Sequence, residues 1–163
     1  MAIKLVALDL DDTLLDPDLL ISADCSRAIG QVCQRGIIVT ISTGRMFRSA
    51  RPYALQLGLE APLITYEGAL VKNSRSEEIL YAKPVPQREA REVMQFFKDA
   101  GVHFHSYYDD QLVMESMTVE GQAYARLAGV EMQLMEDMIA GLEYQEAMKI
   151  MAIFHNEAEL LEI

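Results

Sequence analysis

The sequence has no apolar run approaching the ~20 residues that a membrane-spanning helix needs, and its amino terminus lacks a basic segment leading into a long apolar core. Both absences point away from a membrane and make the cytoplasm the expected address. Cysteine is scarce. Cys25 and Cys33 fall in one predicted helix, where eight positions span about 12 Å, too far for a disulfide; they are expected to be small buried apolar residues in a reducing compartment. Positive charge is in deficit as well. With 14 Lys and Arg against 25 Asp and Glu, the net charge is -11, which argues against nucleic acid as a partner, since its phosphates must be neutralised by basic side chains. The deficit is uneven, because residues 1–82 carry 8 basic against 10 acidic side chains and residues 83–163 carry 6 against 15. A phosphate site in the first half would therefore meet no strongly repulsive field. What remains is ordinary globular composition, 51% hydrophobic and 24% charged over 163 residues, enough for one good core or two small lobes.

The stretch Lys4–Leu15, KLVALDLDDTLL, organises the rest. Leu5 to Leu8 form a short continuous apolar segment, expected to be a strand buried on both faces. The carboxylates of Asp9, Asp11 and Asp12 follow at its carboxyl end, where open α/β sheets carry their ligand sites. Asp9 and Asp11 are two apart, a spacing that turns both side chains to one side of an extended chain. Two such carboxylates can divide labour: one stays ionised, holds a divalent cation and attacks an electrophile, while a like charge nearby helps the other keep a proton. A loop whose carboxylates only cap a helix would have the same short spacing.

Ser22 or Asp24 is expected to cap a helix running to about Arg35, stopped by Gly36, and Ile37 to Ile41 read as a second strand. Strand, helix, strand in this length implies a right-handed crossover to a parallel neighbour. The second strand ends in Ser42-Thr43-Gly44-Arg45, a hydroxyl and a glycine before a helix start. That turn suits either an anion or a simple N-cap. Arg45 is near enough to assist the anion or to brace the Asp cluster; Arg48 and Arg51 are expected on a solvated face. Pro62 to Tyr66 give a third parallel strand, followed by Tyr66-Glu67-Gly68-Ala69 and a hairpin of Val71–Asn73 with Ile79–Tyr81.

The stiff Lys83-Pro84-Val85-Pro86 segment suggests a boundary between domains 1–82 and 83–163. Beyond it, the apolar spacing predicts a helix over 87–100, a strand pair around Asp109-Asp110-Gln111, a helix from Thr118 to Ala128, another helix through Leu134, Met135, Met138 and Ile139, a strand from Lys149 to Phe154 and a helix from Asn156-Glu157. Eight of the ten methionines lie here, as gap-filling core residues or as an adaptable surface. His103 and His105 share one strand face and are expected to be exposed.

Asp9-Leu10-Asp11-Asp12-Thr13 after an apolar strand resembles the first motif of the haloacid dehalogenase superfamily, usually Asp-x-Asp-Gly-Thr; Asp12 stands where Gly is commoner, and Asp tolerates the left-handed backbone of such a turn. Thr43-Gly44-Arg45 resembles the second motif in its Cof-like form, while Glu67 departs from the Asn-Gly-Ala of that branch. The resemblance implies a Rossmann-like parallel core sheet (α/β) with an inserted α/β cap of class IIB. It further implies a Mg²⁺-dependent phosphatase of small phosphorylated metabolites. In it Asp9 is the nucleophile, Asp11 the acid and base, Asp9 and Asp11 the metal ligands, and Thr43, Gly44 and Arg45 the phosphate-binding groups.

The family's third motif, a Lys, and its fourth, an acidic metal ligand, have no counterpart here, so a truncated product or partial record of a longer protein is expected. An apolar edge on the first strand, open to self-association, follows from the same expectation. Two other readings fit parts of the sequence. A response-regulator receiver also has an acidic cluster after its first strand, but Tyr66-Glu67-Gly68 stands where its phosphoacceptor belongs. A non-catalytic binding or assembly module of the same fold would bind ligand without releasing phosphate.

Overall fold

The computed structural model describes residues 2–161, which form two units divided between Lys83 and Pro84. In the first, strands β1 (Leu5–Leu8) and β2 (Ile38–Ile41) pair in parallel, with Leu5 opposite Ile38 and Leu8 opposite Ile41. Helix α1 (Ala23–Gln34) makes the crossover. Its N-cap is Ser22, whose Oγ accepts from the Cys25 N–H at 3.1 Å, and Gly36 turns the chain back with φ 75°. Helix α2 (Phe47–Gln56) leads to β3 (Leu63–Thr65), which joins β2 through a parallel bridge between Ser42 and Ile64. After a 3₁₀ turn over Tyr66–Gly68, β4 (Leu70–Lys72) and β5 (Ile79–Ala82) fold back antiparallel. Leu10, Ile41, Ala50, Ala54 and Leu63 are fully buried and form the centre of this unit.

Three expectations change here. β1 is not buried on both faces: Leu5 is more than half exposed and Ala7 is exposed as well, and β1 has a strand neighbour on one side only among the described residues. Cys25 and Cys33 are exposed rather than buried, since α1 buries Ile29 alone. Arg51 leaves the solvated face, donating to the Ser74 carbonyl at 2.8 Å and pairing with Glu77 at 3.0 Å, whereas Arg48 is exposed.

The second unit is a four-stranded sheet with helices. In chain order it contains α3 (Gln87–Ala100), β6 (His103–Tyr108), β7 (Gln111–Met114), α4 (Val119–Ala128), β8 (Met132–Leu134), α5 (Met138–Gly141), β9 (Ala147–Ile153) and α6 (Glu157–Leu161). The sheet order is β8-β7-β6-β9, with only the β7–β8 pair parallel. Asp109 and Asp110, both at positive φ, turn β6 into β7. Ala90 and Met94 on α3 pack with Phe104, Tyr108, Met138 and Ala147 in its core. Met94, Met114 and Met138 are fully buried, which supports core filling.

The helix expected through Leu134 to Ile139 is instead a strand followed by a short helix. Leu134 pairs with Met114, and the helix begins only at Met138, where the Asp137 carboxylate accepts from the Ile139 and Ala140 N–H groups. Ladder hydrogen bonds to β7 override the helical spacing of the apolar residues. The histidines are likewise not on the surface as expected: His105 is fully buried and His103 partly so, because α4, with its N-cap Thr118, packs over their face of β6. His105 stacks on Tyr124 at 4.4 Å between centroids.

Burial, with smaller contributions from His103 and Lys149, pushes the His105 pKa down to about 3. An unfolded histidine takes a proton below about 6.5, so the unfolded state gains from protonation that the folded state refuses. Stability should therefore fall as pH drops from about 6.5 toward 3, by up to ~1.4 kcal/mol per pH unit from this residue. Urea denaturation between pH 7 and 4.5 should show a shallower slope for His105→Gln than for the wild type; equal slopes would contradict the assignment.

Candidate active site

Backbone pairing continues past the strand ends. The Ser42 N–H donates to the Leu8 carbonyl at 2.8 Å, and the Thr43 N–H to the Ile64 carbonyl at 2.9 Å. The loops that leave β1, β2 and β3 are thus held side by side at the carboxyl edge of the sheet. In the first loop, Leu10 is the anchor. Its side chain is fully buried and its carbonyl accepts from Leu14 at 3.0 Å and Leu15 at 2.9 Å, while Asp12 takes the left-handed conformation at φ 55°. This tight turn leaves Asp9 and Asp11, on either side of Leu10, exposed.

Because β1 ends at Leu8, strand alternation does not orient Asp11. Arg45 does. Its Nε donates to Asp11 Oδ2 at 2.8 Å and its Nη2 to Oδ1, a two-pronged pairing, while Nη1 donates to Ser49 Oγ at 3.2 Å and the guanidinium lies 5.6 Å from the Tyr53 ring centre. Hydrogen bonding from Arg45, reinforced by its charge and opposed by partial burial, holds the Asp11 carboxyl below its usual range. The same bonds raise Arg45 above its own. The Arg45 side chain thus contacts the acidic cluster, the geometry that one of its two readings calls for. Ser49 was not singled out from the sequence; its position four residues beyond Arg45, one helical turn, was the available signal.

Thr43 is buried, and its Oγ1 accepts from the Arg45 N–H at 3.2 Å. Gly44 follows at the mouth of the turn. Two bonds tie the third loop to this one: Tyr66 N–H to the Arg45 carbonyl at 2.9 Å, and Glu67 N–H to the Thr43 carbonyl at 3.2 Å. A Cβ at Gly44 would lie 3.1 Å from Glu67 Oε1 and 3.3 Å from its Cγ, so the glycine makes room for the glutamate. Asp9, Asp11, Thr43, Gly44 and Arg45 therefore belong to one cluster of adjoining loops, and Glu67 joins them. The cavity of about 360 Å³ in the second unit, lined by His103, Glu115, Thr118, Glu120 and His155 among others, contains none of these residues.

The Asp9 carboxylate and the Asp11 backbone carbonyl are hard oxygen donors suited to Mg²⁺, a cation that commonly takes one or two carboxylates and completes its shell with water and substrate phosphate. Among the described residues, no three His, Cys, Asp or Glu side chains gather in a cation-binding group. The loop fits as part of a Mg²⁺ site, not as a full cage.

A parallel sheet with an acidic loop after one strand and a hydroxyl-glycine turn after the next places the chain among α/β proteins that carry their ligand sites at the carboxyl edge of the sheet. A family model described as haloacid dehalogenase-like hydrolase matches residues 6–163. The chain belongs to that family, in its Cof-like branch, which sets the receiver reading aside. It is 33% identical to an HMP-PP phosphatase of Serratia proteamaculans (strain 568) over 134 residues, 82% of this chain and 48% of that protein. To pyridoxal phosphate phosphatase YbhA of Escherichia coli (strain K12) it is 29% identical over 118 residues, 72% of this chain and 43% of that one. Its fold matches a crystal structure of a haloacid dehalogenase-like hydrolase from Bacteroides thetaiotaomicron with a TM-score of 0.85 at 21% identity, covering 99% of this chain and 61% of that one. The chain spans about half the length of the curated relatives it matches. Among the described residues no helix is long and apolar enough to cross a membrane.

If Arg45 holds Asp11 ionised, Arg45→Gln should return the Asp11 carboxyl toward the ordinary Asp value of about 3.9. Carboxyl-detected NMR titration of the two proteins checks this, and an Asp11 titration unmoved by the substitution would contradict it.

Proposed function

We propose that the protein is a phosphomonoester hydrolase acting on small phosphorylated metabolites, with its chemistry in the cluster of loops at the ends of β1 and β2. The observation that carries this reading is the juxtaposition of the acidic loop and the Thr43-Gly44 turn, laced together by backbone hydrogen bonds and by the Asp11–Arg45 pair. The relatives support it, since two that were compared are named for the phosphate compounds HMP-PP and pyridoxal phosphate. They favour a hydrolase over a non-catalytic module.

Asp9 is the nucleophile: its carboxylate forms a bond to phosphorus as the bond to the ester oxygen breaks, and the leaving oxygen takes a proton. Water then attacks the aspartyl phosphate, and the bond between Asp9 and phosphorus breaks. Asp11 serves both steps, as acid in the first and as base in the second. Thr43 Oγ1 and the Gly44 N–H hold the phosphoryl oxygens, supported by the positive start of α2. Mg²⁺, held by the Asp9 carboxylate and the Asp11 carbonyl, would offset the charge of the phosphoryl oxygens. Residues 83–163 act as a cap domain and residues 1–82 as the core domain, the cap selecting the leaving group and excluding water.

The ion pair imposes a condition on the first step. Asp11 held ionised by Arg45 suits the water-activating role but carries no proton for the leaving oxygen. A phosphate dianion arriving beside Asp11 opposes that effect and raises its affinity for a proton. The acid form is therefore a property of the substrate complex, and Arg45 is the group that opposes it.

Phosphate release from a panel of small phosphomonoesters in the presence of Mg²⁺ tests the assignment. Asp9→Asn, which keeps shape and removes the nucleophile, should lower turnover by roughly 10⁴-fold or more. Turnover equal to that of the unaltered protein would overturn the mechanism.

A further inference from the structure

Glu67 stands against the phosphate-holding turn although no step of the proposed chemistry asks for a carboxylate there. Tyr66 and Glu67 are consecutive non-glycine residues at φ 51° and 57°, a left-handed region that ordinary side chains avoid. Such backbone persists only where its surroundings over-determine it, and it concentrates at functional sites. Here the surroundings are the buried Tyr66 ring and the two bonds from Tyr66 and Glu67 to the carbonyls of Arg45 and Thr43. The same bonds that hold the backbone in this shape aim the Glu67 side chain at Gly44. The fit is close: the place of a Gly44 Cβ is 3.1 Å from Oε1. The Arg45 guanidinium, from the same turn, is directed to Asp11 and Ser49.

We propose that Glu67 is a charge filter on the phosphate-holding turn, disfavouring inorganic phosphate and simple alkyl phosphates and favouring phosphomonoesters with an ammonium or other cationic donor close to the ester oxygen. This inference rests on the reading of Thr43 and Gly44 as the phosphate-holding groups, and it adds the class of leaving group. An ionised carboxylate only accepts hydrogen bonds, so beside a phosphate dianion it repels, and beside a cationic donor it pairs. Selection of this kind works by penalising the wrong partner as much as by attracting the right one. Glu67 is exposed, so it lies at the rim of the turn, where a leaving group rather than the phosphoryl oxygens would meet it.

The test is binding of inorganic phosphate, ethyl phosphate and 2-aminoethyl phosphate, followed by isothermal calorimetry at fixed Mg²⁺, to the wild type, Glu67→Gln and Glu67→Asn. The last substitution suits the left-handed backbone and guards against misfolding. The wild type should bind 2-aminoethyl phosphate about tenfold more tightly than ethyl phosphate, as one modestly screened charge pair would give. Both variants should lose that preference and bind inorganic phosphate several-fold more tightly. Anion binding with the same affinities in the wild type and both variants would overturn the role of Glu67 while leaving the phosphate site standing. No binding of any of the three to wild type or variants would overturn the phosphate site and the filter with it.

Discussion

The proposed active-site cluster depends on one constraint, the continuation of backbone pairing beyond the ends of the parallel strands. Leu8 is the last residue of β1, yet its carbonyl still accepts from Ser42, and Thr43 in turn donates to Ile64. Three loops of different origin are thereby brought into register before any side chain contributes. Without those bonds the loops that carry Asp9 and Gly44 would depend on side-chain contacts such as the Asp11–Arg45 pair. A bond between backbone groups costs little entropy once the strands exist, whereas a surface ion pair must hold two side chains in place.

This ordering explains what the charged groups are for. The Asp11–Arg45 pair is well formed, but half of the Asp11 side chain is exposed, so water screens it and its contribution to stability is modest, about 1 kcal/mol or less. Its effect is on direction and proton affinity: it aims the carboxylate and holds its proton affinity below the ordinary range. Arg45 is itself positioned by Ser49 and Tyr53 on α2, so the helix that follows the Thr43-Gly44 turn also orients Asp11, the proposed acid-base group. The left-handed run at Tyr66 and Glu67 is a cost of order 1–3 kcal/mol per residue that the buried Tyr66 ring helps to offset.

The parts of the fold legible in the sequence are those with a local cause. Ser22 and Thr118 announce helix starts because a side-chain oxygen can meet a free N–H two or three residues on, and both do so here. The acidic loop could be located because an apolar strand must end before it. Burial was less legible, since it depends on neighbours distant in sequence: β1 has the composition of a covered strand but one strand neighbour among the described residues, and His105 has the look of a surface residue but lies under α4 beside Tyr124. Met135 and Met138 mimic a helical stripe with Leu134, while pairing with Met114 draws Leu134 into a strand. At the site, residue types could be read but not partners. Arg45 could be placed near the Asp cluster from its position after the turn, but nothing local in the sequence chooses Asp11 over an anion or says that Glu67 folds back on Gly44.

The central claim is that the acidic loop and the Thr43-Gly44-Arg45 turn form one phosphate-binding site. Titration of the ¹⁵N-labelled protein with inorganic phosphate in the presence of Mg²⁺ tests it most directly. The account predicts that the amide resonances of Asp9 to Thr13, of Thr43 to Arg45 and of Glu67 shift together along one saturation curve. Shifts confined to the second unit, or different curves for the two loops, would contradict it.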